Sequence, residues 1–209
     1  MRIYDDRYSR ERLRFLVALH FIRLEARTRT IRLWTGLSDD RIRKLYRSYL
    51  AEGGGSRPVR HRGKSPQRIT VFLRSPRMRQ EASLLASLCR LLGALPETPA
   101  AALPIPSLAR AQLLCHAYEA YRALLGEPLL GFEHAVCLLT ALSRGDELRC
   151  APCIGCGALL VVDRWSLQSP QCATCGQPAT PATAGLPLPS TLCKTAGDDA
   201  RIAEEHRFQ

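Results

Sequence analysis

Cys153, Cys156, Cys172 and Cys175 form two Cys-x-x-Cys pairs with fifteen residues between them, the spacing of two knuckles that share one tetrahedral zinc ion. Gly157 and Gly176 each follow the second cysteine of a pair, where a tight turn with positive φ is expected and glycine adopts it most easily. Cys150 makes a competing pair with Cys153, but only the pairing of Cys153 with Cys156 leaves glycine behind the second ligand. Four thiolates close the coordination sphere, so the expected ion is one structural Zn²⁺ per chain, whose binding stabilises the fold by on the order of 10 kcal/mol. A redox or disulfide pair is the alternative. Catalytic zinc of the deaminase kind would need a His-x-Glu beside the Pro152 to Cys156 segment, and none of the five histidines provides one.

No other constellation points to catalysis. The chain has no Gly-x-x-x-x-Gly-Lys, no Gly-x-Ser-x-Gly and no helical histidine pair, and we read it as a non-enzyme. The acidic pairs Asp39–Asp40, Asp146–Glu147 and Asp198–Asp199 read as caps near helix starts. Cys89, Cys115, Cys137 and Cys193 lack knuckle spacing and read as packing residues. Met1 to Arg14 is highly charged without an apolar stretch, so no secretory signal is expected, and no apolar run reaches bilayer length. A soluble, reducing, cytoplasmic setting and no membrane partner follow.

Charge locates the partner. Residues 1–80 hold 21 Lys or Arg against 7 Asp or Glu, net +14, whereas residues 81–209 hold 9 against 12, net −3. A field of that size attracts polyanions, nucleic acid first among them.

The elements that carry these residues are mainly α-helical. Tyr8 to Arg27 has helical periodicity with apolar residues almost all round, as in a helix buried on most sides, either at the centre of the core or against a partner chain. Thr28 to Tyr49 fits a helix-turn-helix: Ile31 closes the first helix, Gly36 makes a left-handed turn, Leu37 plugs beneath it and Ser38 caps the second helix. Ile42, Leu45 and Tyr49 form that helix's inner stripe. Arg41, Arg43, Lys44 and Arg47 form its outer one, where Arg reads guanine and Lys meets phosphate. Arg32 departs from the small residue the motif favours beside its turn. After a Gly53 to Ser56 break, Arg57 to Arg79 holds Arg57, Arg60, Arg62, Lys64, Arg68, Arg74, Arg77 and Arg79 without an acid, an arm for the phosphate backbone.

From Glu81 the pattern turns to apolar helix, with Leu84, Leu85, Leu88, Leu91 and Leu92, then a Pro-rich link from Pro96 to Pro106. Two further stripes follow, Leu114, Tyr118, Tyr121, Leu125 and Phe132, Val136, Leu139, Leu142. Leu159 to Val162 with Trp165 reads as a short β-excursion. The expected regions are a DNA-binding helical region at 1–52, a basic arm at 53–80, a helical middle at 81–148, a four-cysteine zinc region at 149–180 and a mobile tail at 181–209.

This order of parts resembles FlhC, the family of a flagellar master transcriptional activator subunit, over about Arg12 to Gln177. The matching segments are Leu37-Ser38 to Lys44-Leu45-Tyr46, Ala82-Ser83, Cys153-Ile154-Gly155-Cys156-Gly157 and Cys172-Ala173-Thr174-Cys175. The resemblance implies that the four cysteines are the zinc ligands and that the chain pairs with FlhD in a heterohexamer of four FlhD and two FlhC. It also implies double-stranded DNA upstream of flagellar operons as the target and RNA polymerase as the recruited partner. The family's Ser-x-x-Trp-Phe stretch is replaced by residues 64–72, of which only Phe72 is kept, as in a divergent paralogue. Regulation of non-flagellar genes, or RNA binding by a zinc-stapled protein, are the alternatives.

Overall fold

Gly36 sits at φ 69°, in the left-handed region that an L side chain resists, and it ends the second helix by returning its amide to the Arg32 carbonyl. The computed structural model that shows this describes residues 3–52, 61, 66, 68–96 and 105–176. Six α-helices and one hairpin make up its regular structure, so the mainly α class read from the sequence holds. In order they are α1 (Ile3–Arg23), α2 (Thr28–Thr35), α3 (Asp39–Glu52), a 3₁₀ turn (Ile69–Leu73), α4 (Pro76–Leu91), α5 (Leu108–Leu125), α6 (Phe132–Arg144), β1 (Leu148–Pro152) and β2 (Leu159–Asp163). The described residues cohere in one compact unit. None of the described helices is long and apolar enough to cross a membrane.

Helix α1 stops at Arg23, four residues before the periodicity ends. Glu25 takes φ 61° and the Ala26 amide reaches back to the Phe21 carbonyl at 2.9 Å, which closes the helix and turns Leu24 and Ala26 into the core. Only the second half of α1 is a central helix. Val17, Ala18, Phe21 and Ile22 are fully buried, while Tyr8 and Leu16 stand exposed.

Phe21 joins α1 to its neighbours, with its ring 4.9 Å from Phe132 on α6 and 6.1 Å from Trp34 on α2. Buried Glu133, also on α6, accepts the Arg27 amide at 2.8 Å and the Thr30 hydroxyl at 2.9 Å. It places a carboxylate at the positive end of α2 and sets that helix's direction from the middle region.

Helix α4 begins at Pro76, earlier than the pattern predicts, because Ser75 accepts the Met78 amide at 3.2 Å and proline occupies the first turn. Arg77 and Arg79 therefore stand on a helix. Its buried stripe is Glu81, Ala82, Leu85, Ala86 and Cys89, whereas Leu91 and Leu92 are exposed. Small residues win the inner face because α5 and β2 both pack closely on it. Leu125 on α5 is likewise exposed at the helix end. Asp146 and Glu147 lie between α6 and β1, so of the acidic pairs within the described residues only Asp39–Asp40 opens a helix.

Glu81 is buried and accepts from the Tyr121 hydroxyl, from the Leu129 amide at 2.8 Å and from Arg77 Nε at 3.0 Å. Burial works to raise its pKa, and these donors outweigh burial and hold it below the ordinary 4.5. Its stabilising effect is therefore complete above that ordinary value and is lost as pH falls through the lowered one. Glu81→Gln is expected to cost about 2 kcal/mol at neutral pH. Denaturant unfolding of parent and variant checks this, since the gap should narrow as pH falls below 4.5 and an unchanged gap would assign the effect to shape alone.

Candidate metal centre and helix-turn-helix face

Strands β1 and β2 pair antiparallel from Leu148 opposite Asp163 to Pro152 opposite Leu159, and the first knuckle is the turn that joins them. The Cys153 amide donates to the Ala158 carbonyl at 2.8 Å, and the Gly157 amide to the Cys153 carbonyl at 2.9 Å. Gly157 takes φ 74°, as the spacing predicts. Gly176 does not adopt positive φ. Its amide returns to the Cys172 carbonyl at 2.9 Å, and a Cβ there would lie 3.3 Å from that oxygen, so close approach explains the glycine. The Ile154 amide donates to the Pro170 carbonyl at 3.0 Å and ties the knuckles together.

The thiol sulfurs of Cys153, Cys156, Cys172 and Cys175 all lie within 4.8 Å of one another. The Cys156 and Cys172 sulfurs are 3.7 Å apart, close to the ~3.8 Å edge of a tetrahedron with ~2.3 Å metal–sulfur bonds. This cluster can hold a metal ion. Cys150 is not part of it, since it sits inside β1 opposite Val161 and burial pushes its thiol pKa up.

Backbone donors polarise the sulfurs. The amides of Cys172, Cys156 and Gly155 bring the Cys153 thiol down to about 6, and the Cys175 amide lowers Cys172. Hydrogen bonding among the thiols themselves drives Cys175 up to about 12, because its thiol keeps its proton and donates it to the Cys172 and Cys156 sulfurs. Two sulfurs are thus readily thiolate while the last resists a further negative charge. A divalent cation supplies the missing counter-charge and allows all four to ionise.

Gly155 is the residue that spacing alone did not single out. A Cβ on it would meet Cys175 Sγ at 2.9 Å and Cys175 Cβ at 3.0 Å, so the knuckles approach each other only across a glycine. The hairpin in turn is fused to the helices. The Val161 amide donates to Ser83 Oγ on α4 at 3.0 Å, and Leu148 and Val161 belong to the common core.

In the N-terminal half, α2, Gly36-Leu37-Ser38 and α3 form two helices joined by a three-residue turn. Leu37 is 2% exposed, and Ser38 Oγ accepts the Arg41 amide at 3.5 Å. Ile42 and Tyr46 hold α3 down most firmly, with the Tyr46 hydroxyl donating to the Ala26 carbonyl at 3.0 Å; Leu45 and Tyr49 flank them half-buried. Arg32 does not obstruct the turn. It points outward, 3.8 Å from the Asp39 carboxylate.

All four basic residues of the predicted outer stripe are exposed, but they are not equivalent. Arg41 pairs with Glu11 of α1 and lies 5.9 Å from the Phe15 ring. Arg43 makes a surface pair with Asp40 at 3.0 Å, an interaction that contributes little and yields easily. Lys44 and Arg47 have no ion-pair partner among the described residues. Arg68 caps the 3₁₀ turn and is exposed. The 3₁₀ turn packs on α4, α6 and β2. Arg57, Arg60, Arg62 and Lys64, the Pro-rich link at 97–104, Cys193, Asp198–Asp199 and the C-terminal tail lie outside the described residues.

No protein-family model matches this chain, and no curated protein matches it.

Proposed function

We propose that this chain is the DNA-contacting subunit of a transcription activator of the FlhC kind, with one structural zinc ion and no chemistry of its own. The observation that carries this reading is the α2–turn–α3 unit. A left-handed Gly36 and a buried Leu37 fix the two helices, and α3 offers Arg43, Lys44 and Arg47 outward as a recognition helix does. The metal is read as zinc from its four sulfur donors at tetrahedral spacing, a donor set that leaves no open position for substrate.

The expected partners are an FlhD-type subunit, in the arrangement of four with two, promoter DNA of flagellar operons and RNA polymerase. Exposed Tyr8 and Leu16 on α1 are what supports a protein partner. The basic segment from Arg57 to Arg68 would add phosphate contacts. The test is fluorescence anisotropy of the chain co-expressed with an FlhD-type partner, titrated with flagellar promoter DNA and scrambled duplex over a salt series. Promoter binding at least ~10³-fold tighter, persisting as salt rises, is the expected result. Equal and salt-labile binding to both duplexes, or preference for RNA, would remove the activator reading.

A further inference from the structure

His20 on α1 meets His116 and Glu119 on α5, in a cluster that neither the helix-turn-helix nor the cysteine site uses. The His20 Nε2 lies 2.6 Å from one Glu119 carboxylate oxygen, and the His116 Nδ1 lies 3.7 Å from the other. The two imidazoles stand edge to face with their centres 5.8 Å apart. Among the described residues Glu119 pairs with no lysine or arginine, so its charge is shared by the imidazoles alone.

Both helices hold the cluster in place. His116 and Glu119 are three residues apart on α5 and therefore neighbours on one face, while buried Cys115, Ala117 and Tyr118 fix that helix in the core. Val17 and Phe21 do the same for the turn of α1 that carries His20. The three side chains stay open to solvent, His20 at 22%, Glu119 at 49% and His116 at 61% exposed. A solute reaches them without opening the core.

Two imidazoles and one carboxylate are a donor set of zinc sites that keep a fourth position for water. A tetrahedral zinc ion with bonds of ~2.0–2.1 Å sets neighbouring donor atoms about 3.4 Å apart and the centres of two bound imidazoles about 5 Å apart. The contacts of 2.6 and 3.7 Å bracket the first value, and the ring separation of 5.8 Å lies near the second. What adjustment remains falls on His116, the most exposed of the three. Its 3.7 Å contact is too long for a hydrogen bond, so little is lost when that ring turns towards an ion. We propose that His20, His116 and Glu119 bind a second divalent ion of the zinc type, with water in the fourth position, and that this ion cross-links α1 to α5.

Ion binding here is independent of DNA. The test is calorimetric titration of the untagged, full-length chain with zinc chloride in a non-chelating buffer, after one equivalent has been loaded. A further saturable equivalent is expected, and X-ray absorption should give it nitrogen and oxygen ligands where the first equivalent has sulfur. His20→Ala, His116→Ala and Glu119→Gln should each weaken it at least ~10-fold, since the loss of a group that merely orients a ligand already costs that much. His116→Ala decides the matter if His20→Ala fails to fold, because its side chain is mostly exposed. His61→Ala removes an exposed histidine that pairs with Glu25 and should leave the second equivalent unchanged. The proposal is overturned if no second equivalent binds, if its ligands are sulfur, or if it survives both His116→Ala and Glu119→Gln. A first equivalent bound by nitrogen and oxygen and weakened by those two variants would support this site and count against the cysteine one.

Discussion

Removing the metal with a chelator, or replacing Cys156 by alanine, is expected to unfold residues 148–176 and to lower the melting temperature of the helices as well. A structural zinc ion bound there would contribute on the order of 10 kcal/mol, comparable with the whole stability of an ordinary domain. The loss spreads because Leu148 and Val161 are core residues and Ser83 binds the Val161 amide. Exposing two such side chains costs about 3–6 kcal/mol, or a fall on the order of 10 °C in a chain of this size. Hydrogen exchange would show the hairpin amides unprotected while α1, α5 and α6 keep partial protection. Two further variants separate causes. Gly155→Ala inserts a methyl 2.9 Å from Cys175 Sγ and should lower metal affinity at least ~10-fold. Gly157→Ala meets nothing within 4 Å and should cost only the left-handed strain of about 1–2 kcal/mol. Cys150→Ala should keep one metal per chain. Equal melts and equal exchange for Cys156→Ala and parent would mean that the cluster does not hold the hairpin.

The four-cysteine cluster was legible in the sequence because ligand spacing and knuckle geometry are local: two Cys-x-x-Cys turns close on themselves before any long-range contact forms. The choice of Cys153 over Cys150 was legible for the same reason, since glycine follows Cys156 and β1 claims Cys150. The helix-turn-helix was legible through Gly36, Leu37 and Ser38, three consecutive residues with three different physical roles. What escaped was set by tertiary contacts. Glu133 directs α2 from a hundred residues away, and nothing in its own neighbourhood marks it. Leu91 carries helical periodicity yet is 80% exposed, because α5 and β2 select the alanine side of α4. Arg90, Arg110 and Arg149 are isolated in the sequence, and only the packing of four elements brings them to one open cleft.

The same tertiary contacts bear on how α3 would meet DNA. Glu133 fixes the start of α2, Phe21 wedges between Trp34 and Phe132, and Glu11 draws Arg41 towards α1. A helix held this way would meet a target as a rigid body, so any affinity lost on truncating an exposed side chain would report the contact and not a loosened scaffold.

Replacing Lys44 and Arg47 together by alanine is therefore expected to weaken promoter binding by about 10²-fold or more while leaving the melting temperature within a few degrees of the parent. Both side chains are exposed and neither has an ion-pair partner among the described residues, so little stability rests on them, and Ile42 and Tyr46 keep α3 in place. If both meet phosphate, the slope of log K against log salt should fall by about 1.8, with equal losses on promoter and scrambled duplex. If one reads a base, the promoter should lose more than the scrambled duplex and the salt slope should fall by only about 0.9. Arg41→Ala makes the contrast. Its charge is committed to Glu11 and its guanidinium lies near Phe15, so stability should drop with a smaller effect on DNA. A double variant that folds normally and binds the promoter as tightly as the parent would take α3 out of the proposed interface, and leave the basic segment between Arg57 and Arg68 as the remaining candidate for it.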